Sequence, residues 1–288
     1  MKFITLALLL SAFSGMALGC GENEKDGFLP ENDMNIPVGA KTLGGITEAE
    51  FNAVIDKFKP IYSPIASRMG GKLKINRKWS DGTVNANASQ FFGAWTVNMF
   101  GGLARHEKIT ADGFALVLCH ELGHHLGGAT KVGSFMMKWA SNEGQADYFA
   151  TLKCLRIGWL NDNNEKIVSK MVVPEFLKTS CARAHADKAD RALCIRGGMA
   201  GASVAGLFAA MRNKPEAQFN TPDAAVVAKT DDAHPAHQCR LDTYFQGALC
   251  EKSHTEDVSQ KDEVQGTCHG TTGHTVGLRP KCWHKAKI

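Results

Sequence analysis

The sequence predicts a mainly helical α+β fold, with a small sheet packed on a central helix and a disulfide-stapled C-terminal segment. Three observations predict it. Helix-start chemistry precedes apolar-periodic stretches at Thr47, Thr110 and Ser141. Three short strand-like runs lie close together between residues 72 and 100. Eight of the nine cysteines fall after residue 118, four of them from Cys239 onward. A chain of 288 residues, 44% of them hydrophobic, can fill a globular core. The formal net charge is +4 and the basic residues are scattered, so nucleic acid is not an expected partner.

Residues 1–19 read as a signal peptide: Lys2 is the charged start, Phe3 to Leu10 opens the apolar run, and Ala17 and Gly19 precede Cys20. Cleavage after Gly19 leaves Cys20 either lipidated, which gives a periplasmic or outer-membrane lipoprotein, or as the start of a freely secreted chain. A lipid on Cys20 is the one membrane contact expected. Residues 20–46 read as a tether or irregular N-terminal arm. Thr47 and Glu50 form a capping box for a helix whose face carries Phe51, Val54, Ile55 and Phe58, and which Pro60 and Pro64 bend or end. Residues 72–79, Thr83–Ala88 and Ala94–Phe100 read as strands, with an Asp81-Gly82 turn between the first two. Thr110 starts a helix that stops at Gly127-Gly128, and Ser141 caps the next one. The chain stays helical in texture to about residue 212. Gly198 to Ala210 is apolar but spans too few residues to cross a bilayer, so close packing of small residues is expected. A loop follows over 213–236, and the chain from Cys239 on reads as loop-rich. The domain is expected over 47–245, with a Cys/His-rich segment over 246–288.

Eight cysteines besides Cys20 in an exported chain read as a disulfide framework. Neighbour pairing is expected: 119–154, 181–194, 239–250 and 268–282. Free, buried Cys119 and Cys154 are the alternative for the first pair.

The chemistry centres on His120-Glu121-Leu122-Gly123-His124. Positions i and i+4 share a helix face, so both imidazoles reach one cation. Zinc suits nitrogen ligands in an exported protein, and one ion per chain is expected. Glu121 projects beside the metal, where its carboxylate can act as a base. His125 is rotated away and is excluded as a ligand. Leu118, Leu122 and Leu126 make the rest of the helix apolar, which argues against a solvated surface pair. Catalytic zinc takes three protein ligands. Glu143, nineteen residues after His124, supplies the third from the following helix. Asp147, one turn on, can accept a hydrogen bond from a ligand histidine and set its tautomer.

The string HELGHHLGG followed by Glu143-x-x-x-Asp147 resembles the gluzincin metallopeptidases of the HtpX and CAAX-prenyl-protease family. Val84-Asn85-Ala86-Asn87-Ala88 and Ala94-Trp95-Thr96-Val97-Asn98 resemble its "NA" strand and edge strand, and His234-Pro235 with Arg240 resembles its downstream His-Pro and Arg. The resemblance covers about residues 47–245. It implies a gluzincin-type domain, ligands His120, His124 and Glu143, the base Glu121, Asp147 behind them, and His234 and Arg240 on the oxyanion side. The family's best-known members carry several transmembrane helices. This chain has none after its signal and is similar to a soluble periplasmic branch, and its tail from about Cys250 matches nothing in the family. His237 competes with His234 for the assigned role. His269, His274 and His284 lie among Cys268 and Cys282, where disulfides are favoured over a second zinc.

The expected function is a zinc-dependent endopeptidase of the cell envelope, with a polypeptide substrate added as a strand on the 94–100 edge. The alternative is a non-cleaving, zinc-stabilised chaperone or assembly factor. Two further rivals are a protease held inactive by His234 or His237 and a structural metal scaffold.

Overall fold

The computed structural model describes residues 18–19, 27–41, 44–134 and 137–286. Most of the expected signal peptide, and Cys20, where a lipid is one of the two expectations, lie outside the described residues. Among the described residues the protein is mainly helical α+β with two small sheets and four disulfides.

Helix α1 (Glu48–Arg68) starts as its sequence requires: the Glu50 amide donates to Thr47 Oγ1 at 3.2 Å, and the Thr47 amide donates to Glu50 Oε2 at 2.8 Å. It does not end at its prolines. Pro60 and Pro64 sit inside it, and the buried face Phe51, Ile55, Phe58, Tyr62 and Ala66 carries the helix through them. Burial of that stripe outweighs the backbone hydrogen bonds that the two prolines remove.

One sheet joins β1 (Leu18–Gly19), β2 (Lys72–Lys78), β3 (Ala86–Phe91) and β4 (Ala94–Phe100) in the order β1-β3-β4-β2. The turn between β3 and β4 holds Phe92 at φ 43° and Gly93 at φ 78°, the left-handed pair of a tight hairpin. Two expectations change here. The strand read as Thr83–Ala88 begins at Ala86, because Thr83 still belongs to the turn: its amide and hydroxyl donate to Asp81 Oδ1. Strand 94–100 is not an edge. It pairs in parallel with β2 from Ala94 to Phe100 and antiparallel with β3 from Ala94 to Met99, so both its hydrogen-bonding sides are used.

After the short α2 (Gly101–Arg105), the central helix α3 (Ala111–Leu126) is capped by Thr110, whose Oγ1 accepts from the Gly113 amide. Every residue from Gly113 to Leu126 is buried. A hairpin of β5 (Lys131–Ser134) and β6 (Met137–Ser141) follows, then α4 (Glu143–Phe149). Its cap is Asn142 and not Ser141. Asn142 Oδ1 accepts from the Gln145 amide at 2.9 Å, while Ser141 closes β6 and its hydroxyl donates to the Gly128 carbonyl. Helices α3 and α4 cross closely at Gly123, where a Cβ would lie 3.0 Å from Ala146.

A π-helical turn (Ala150–Cys154) leads into α5 (Leu155–Trp159), α6 (Asn164–Val168), α7 (Glu175–Ala184), α8 (Lys188–Met211) and α9 (His237–Leu249). By length and composition α8 could cross a membrane, but 78% of its apolar window is buried inside the protein, and its small residues meet Leu177 at Gly198 and Tyr244 at Gly201. The segment from Cys239 opens as helix rather than loop, so the expected boundary at 245/246 falls inside α9.

That helix also decides the disulfides. Cys119–Cys154 and Cys181–Cys194 form as expected. The other two pairs are Cys239–Cys282 and Cys250–Cys268, not 239–250 and 268–282. Cys239 and Cys250 stand at opposite ends of α9. Eleven residues of helix separate them by about 16 Å, whereas bridged cysteines have Cα atoms within about 7 Å. Four disulfides fit an oxidising extracellular or envelope compartment.

Candidate metal centre

The site lies where α3, α4 and α9 meet. His120 and His124 come from the same face of α3, with ring centroids 4.6 Å apart, and Glu143 is the first residue of α4. His120 Nε2 lies 3.3 Å from Glu143 Oε2, and His124 Nε2 lies 3.5 Å from Glu143 Oε1. Ligands at 2.0–2.1 Å around a tetrahedral cation stand about 3.3 Å from one another, so the spacing fits a single ion. The three side chains are buried, and their ligand atoms all lie within 4.8 Å of one another.

The imidazole tautomers are set from behind. His124 Nδ1 is 2.8 Å from the Ser141 carbonyl, which can only accept, so Nδ1 carries the proton and Nε2 presents a lone pair. His120 Nδ1 donates to Asp147 Oδ1 at 2.7 Å, which turns its Nε2 towards Glu143 in the same way. Asp147 Oδ1 also accepts from Arg240 Nη2 at 2.7 Å and from the Tyr244 hydroxyl at 2.8 Å, both from α9.

Polar atoms buried without hydrogen-bond partners point to what is missing. They include His120 Nε2, Glu143 Oε2 and Glu121 Oε1. Glu121, Glu143 and Asp147 interact in one buried space with one guanidinium, Arg240, so two negative charges are uncompensated when all three carboxylates ionise and the imidazoles are neutral, as metal ligands are. A dication restores the balance. Burial pushes the Glu121 carboxyl up to about 8 and pushes His124 down to about 4. Burial also works against a charged His120, yet Asp147 and Glu143 hold it up at about 9. Burial alone would raise Glu143, but His234, His120 and His124 pull it well below the carboxylate range. Asp147 is likewise held low against burial by Arg240 and His120.

His234 Nε2 is 3.4 Å from Glu143 Oε2, at the rim of the cluster. It does not join the three ligand atoms. His237 is elsewhere, with Nε2 3.1 Å from the Pro215 carbonyl oxygen. Arg240 is fully buried, with Nη2 on Asp147, Nε on the Tyr244 hydroxyl and Nη1 on the Phe28 carbonyl. His125 is turned out of the cluster as expected. It stacks between Trp95 and Trp139, with Nδ1 at 3.1 Å from Gln90 Nε2.

The C-terminal segment backs α4. A Cβ on Gly144 would lie 2.2 Å from the Trp283 ring, and Arg279 Nε donates at 2.6 Å to Gln145 Oε1. A second group, Asp223 with Cys239 and Cys282, has its two sulfurs joined in a disulfide. The tail histidines are used locally, His269 with Thr271, His274 with Thr272 and His284 with Glu263.

Reasoning from the sequence missed the Ser141 carbonyl, Tyr244 and the arm residues Gly27–Leu29. Tyr244 had a signal, since it lies one helical turn after Arg240. The other two carried none, because a backbone carbonyl and an irregular arm have no motif. Comparison with family models, curated proteins and solved structures finds no match to this chain.

Proposed function

We propose that the protein is a zinc-dependent endopeptidase of the cell envelope, of the gluzincin type that its motifs resemble. One observation carries the reading: two imidazole nitrogens and a carboxylate converge at tetrahedral spacing beside a second buried carboxylate, Glu121, whose Oε1 has no partner. A structural scaffold would need the ligands but not that carboxylate.

His120, His124 and Glu143 would hold the zinc, and Asp147 and Ser141 orient the imidazoles. The metal, when bound, supplies a Lewis acid that polarises a carbonyl and makes water acidic near neutral pH. Glu121 takes the proton of the attacking water and returns it to the leaving amine. His234, on the rim, donates from Nε2 to the carbonyl oxygen as negative charge develops there. Arg240 holds Asp147 with Nη2 and keeps Nη1 for a peptide carbonyl. The substrate is a polypeptide, and β3 replaces the 94–100 strand as the place for an added strand. The two-residue β1 covers it at Ser89 and Gln90 and would leave with the signal peptide.

The test is a digest of unfolded casein and a peptide library by the zinc-loaded protein, with and without chelator, beside Glu121→Gln. Fragments that vanish with chelator and with the variant are expected. Binding of unfolded chains with no fragments would replace the peptidase by the non-cleaving chaperone.

A further inference from the structure

Of the stretch expected as a tether or irregular arm, residues 27–29 enter the site. Phe28 and Leu29 are fully buried. The Phe28 ring stands edge-on to His120 at 4.8 Å and to Phe208 at 5.4 Å, beneath the Arg240 guanidinium at 4.6 Å. Five consecutive backbone groups are recognised. His234 Nε2 donates to the Gly27 carbonyl at 2.8 Å. The Phe28 amide donates to the Ala86 carbonyl at 2.8 Å, and its own carbonyl accepts from Arg240 Nη1 at 3.2 Å. The Leu29 amide donates to Asn85 Oδ1 at 2.9 Å, and the Leu29 carbonyl accepts from Asn85 Nδ2 at 3.1 Å. Gly27 is required: a Cβ there would lie 2.1 Å from the Ala86 carbonyl oxygen.

An arm that merely completed the core would need an apolar side chain and solvent or a ladder for its backbone. Here side chains reach in from α9 and from the loop before it to read the backbone of a bent, non-repetitive segment. The same two side chains also border the cluster, with His234 Nε2 at 3.4 Å and Arg240 Nη2 at 3.8 Å from Glu143 Oε2. Any polypeptide using them must displace the arm.

We propose that Gly27-Phe28-Leu29 is a resident peptide ligand of this cleft, that the cleft selects a glycine followed by a bulky apolar residue, and that the arm must leave before a substrate enters. The proposal takes the reacting site from the proposed function, but the occupancy is argued from geometry alone. A tethered ligand acts at an effective concentration of order millimolar, so the seated arm outcompetes ordinary substrates. The bend also keeps it from lying extended as an added strand does.

The experiment uses the zinc-loaded and the metal-free protein, with Gly27→Ala, which drives the arm against Ala86, and Phe28→Ala, which removes its anchor. The probe is a labelled, end-blocked peptide of residues 26–31 (Asp-Gly-Phe-Leu-Pro-Glu). Both variants should bind it at least about tenfold more tightly than the unaltered protein, and the same peptide with alanine for glycine should not bind. Casein cleavage should rise in the variants through a lower KM. If Phe28→Ala does not fold, Gly27→Ala decides alone. Equal binding, or none, by a folded Gly27→Ala protein overturns the proposal, even if casein is cut. Peptide binding to that variant without cleavage of casein upholds the resident ligand and sinks the peptidase.

Discussion

His120 and Asp147, 27 residues apart in sequence, meet at 2.7 Å between Nδ1 and Oδ1, and both side chains are fully buried. The pair joins α3 to α4, and Arg240 adds α9 through the same carboxylate oxygen. A single carboxylate thus sets an imidazole tautomer and neutralises a buried guanidinium.

Asp147→Ala removes both functions. A buried charge that loses its partner costs about 3–5 kcal/mol, and loss of the group behind a ligand histidine weakens metal binding about 10–100-fold. Thermal melts of the metal-free protein read the first loss, and chelator competition reads the second. A variant as stable as the parent would show that Arg240 has another counterion.

Glu121→Gln keeps the size of the side chain and the three converging groups. It should bind one zinc with unchanged affinity and lose about 10²–10⁴-fold in cleavage rate. Casein cleavage at the parental rate would remove Glu121 from its role as base.

Gly144→Ala puts a methyl group 2.2 Å from the Trp283 ring, beside Glu143. Overpacking of this kind costs about 1–3 kcal/mol, and the displacement should also loosen zinc. Trp283→Leu in the same chain should restore part of the affinity, because it relieves the clash. Zinc affinity that is insensitive to Gly144→Ala would show that the tail does not position Glu143.

Burial pushes the Lys153 ammonium down to about 8, although Glu256 partly opposes the shift. Its unfolded value is near 10.4. Between these values the unfolded chain holds a proton that the folded protein lacks, so stability rises with pH across the window and the gain is lost as pH falls to about 8. Lys153→Met should flatten that rise and add at most about 3 kcal/mol at neutral pH, less the lost hydrogen bond to the Ser253 carbonyl. Denaturant melts from pH 7 to 10.5 measure it. An unchanged slope in the variant would assign the rise to other groups.

Much of the local architecture was legible in the sequence. The capping box at Thr47, the helix from Thr110 to Gly127 and strand 94–100 stand as read. The failures share a cause. Ser141 and Asn142 both have capping side chains, and only the pairing of Ser141 in β6 decided between them. Strand 94–100 reads alike as edge or interior, since the alternation of its side chains is the same in both. The tail pairings of the cysteines followed from where α9 ends, which neighbour spacing does not contain.

The sequence by itself determined the relations that lie within one element: two imidazoles a turn apart on a buried helix, and a carboxylate and its partner a turn apart on the next. Backbone periodicity imposes those relations whatever surrounds them. Only the tertiary structure decided that the two helices cross at Gly123, that Arg240 and Tyr244 close on Asp147, and that Gly27 and Phe28 meet His234 and Arg240. Such contacts depend on how side chains of distant segments share a limited buried volume, and no spacing along the chain encodes that.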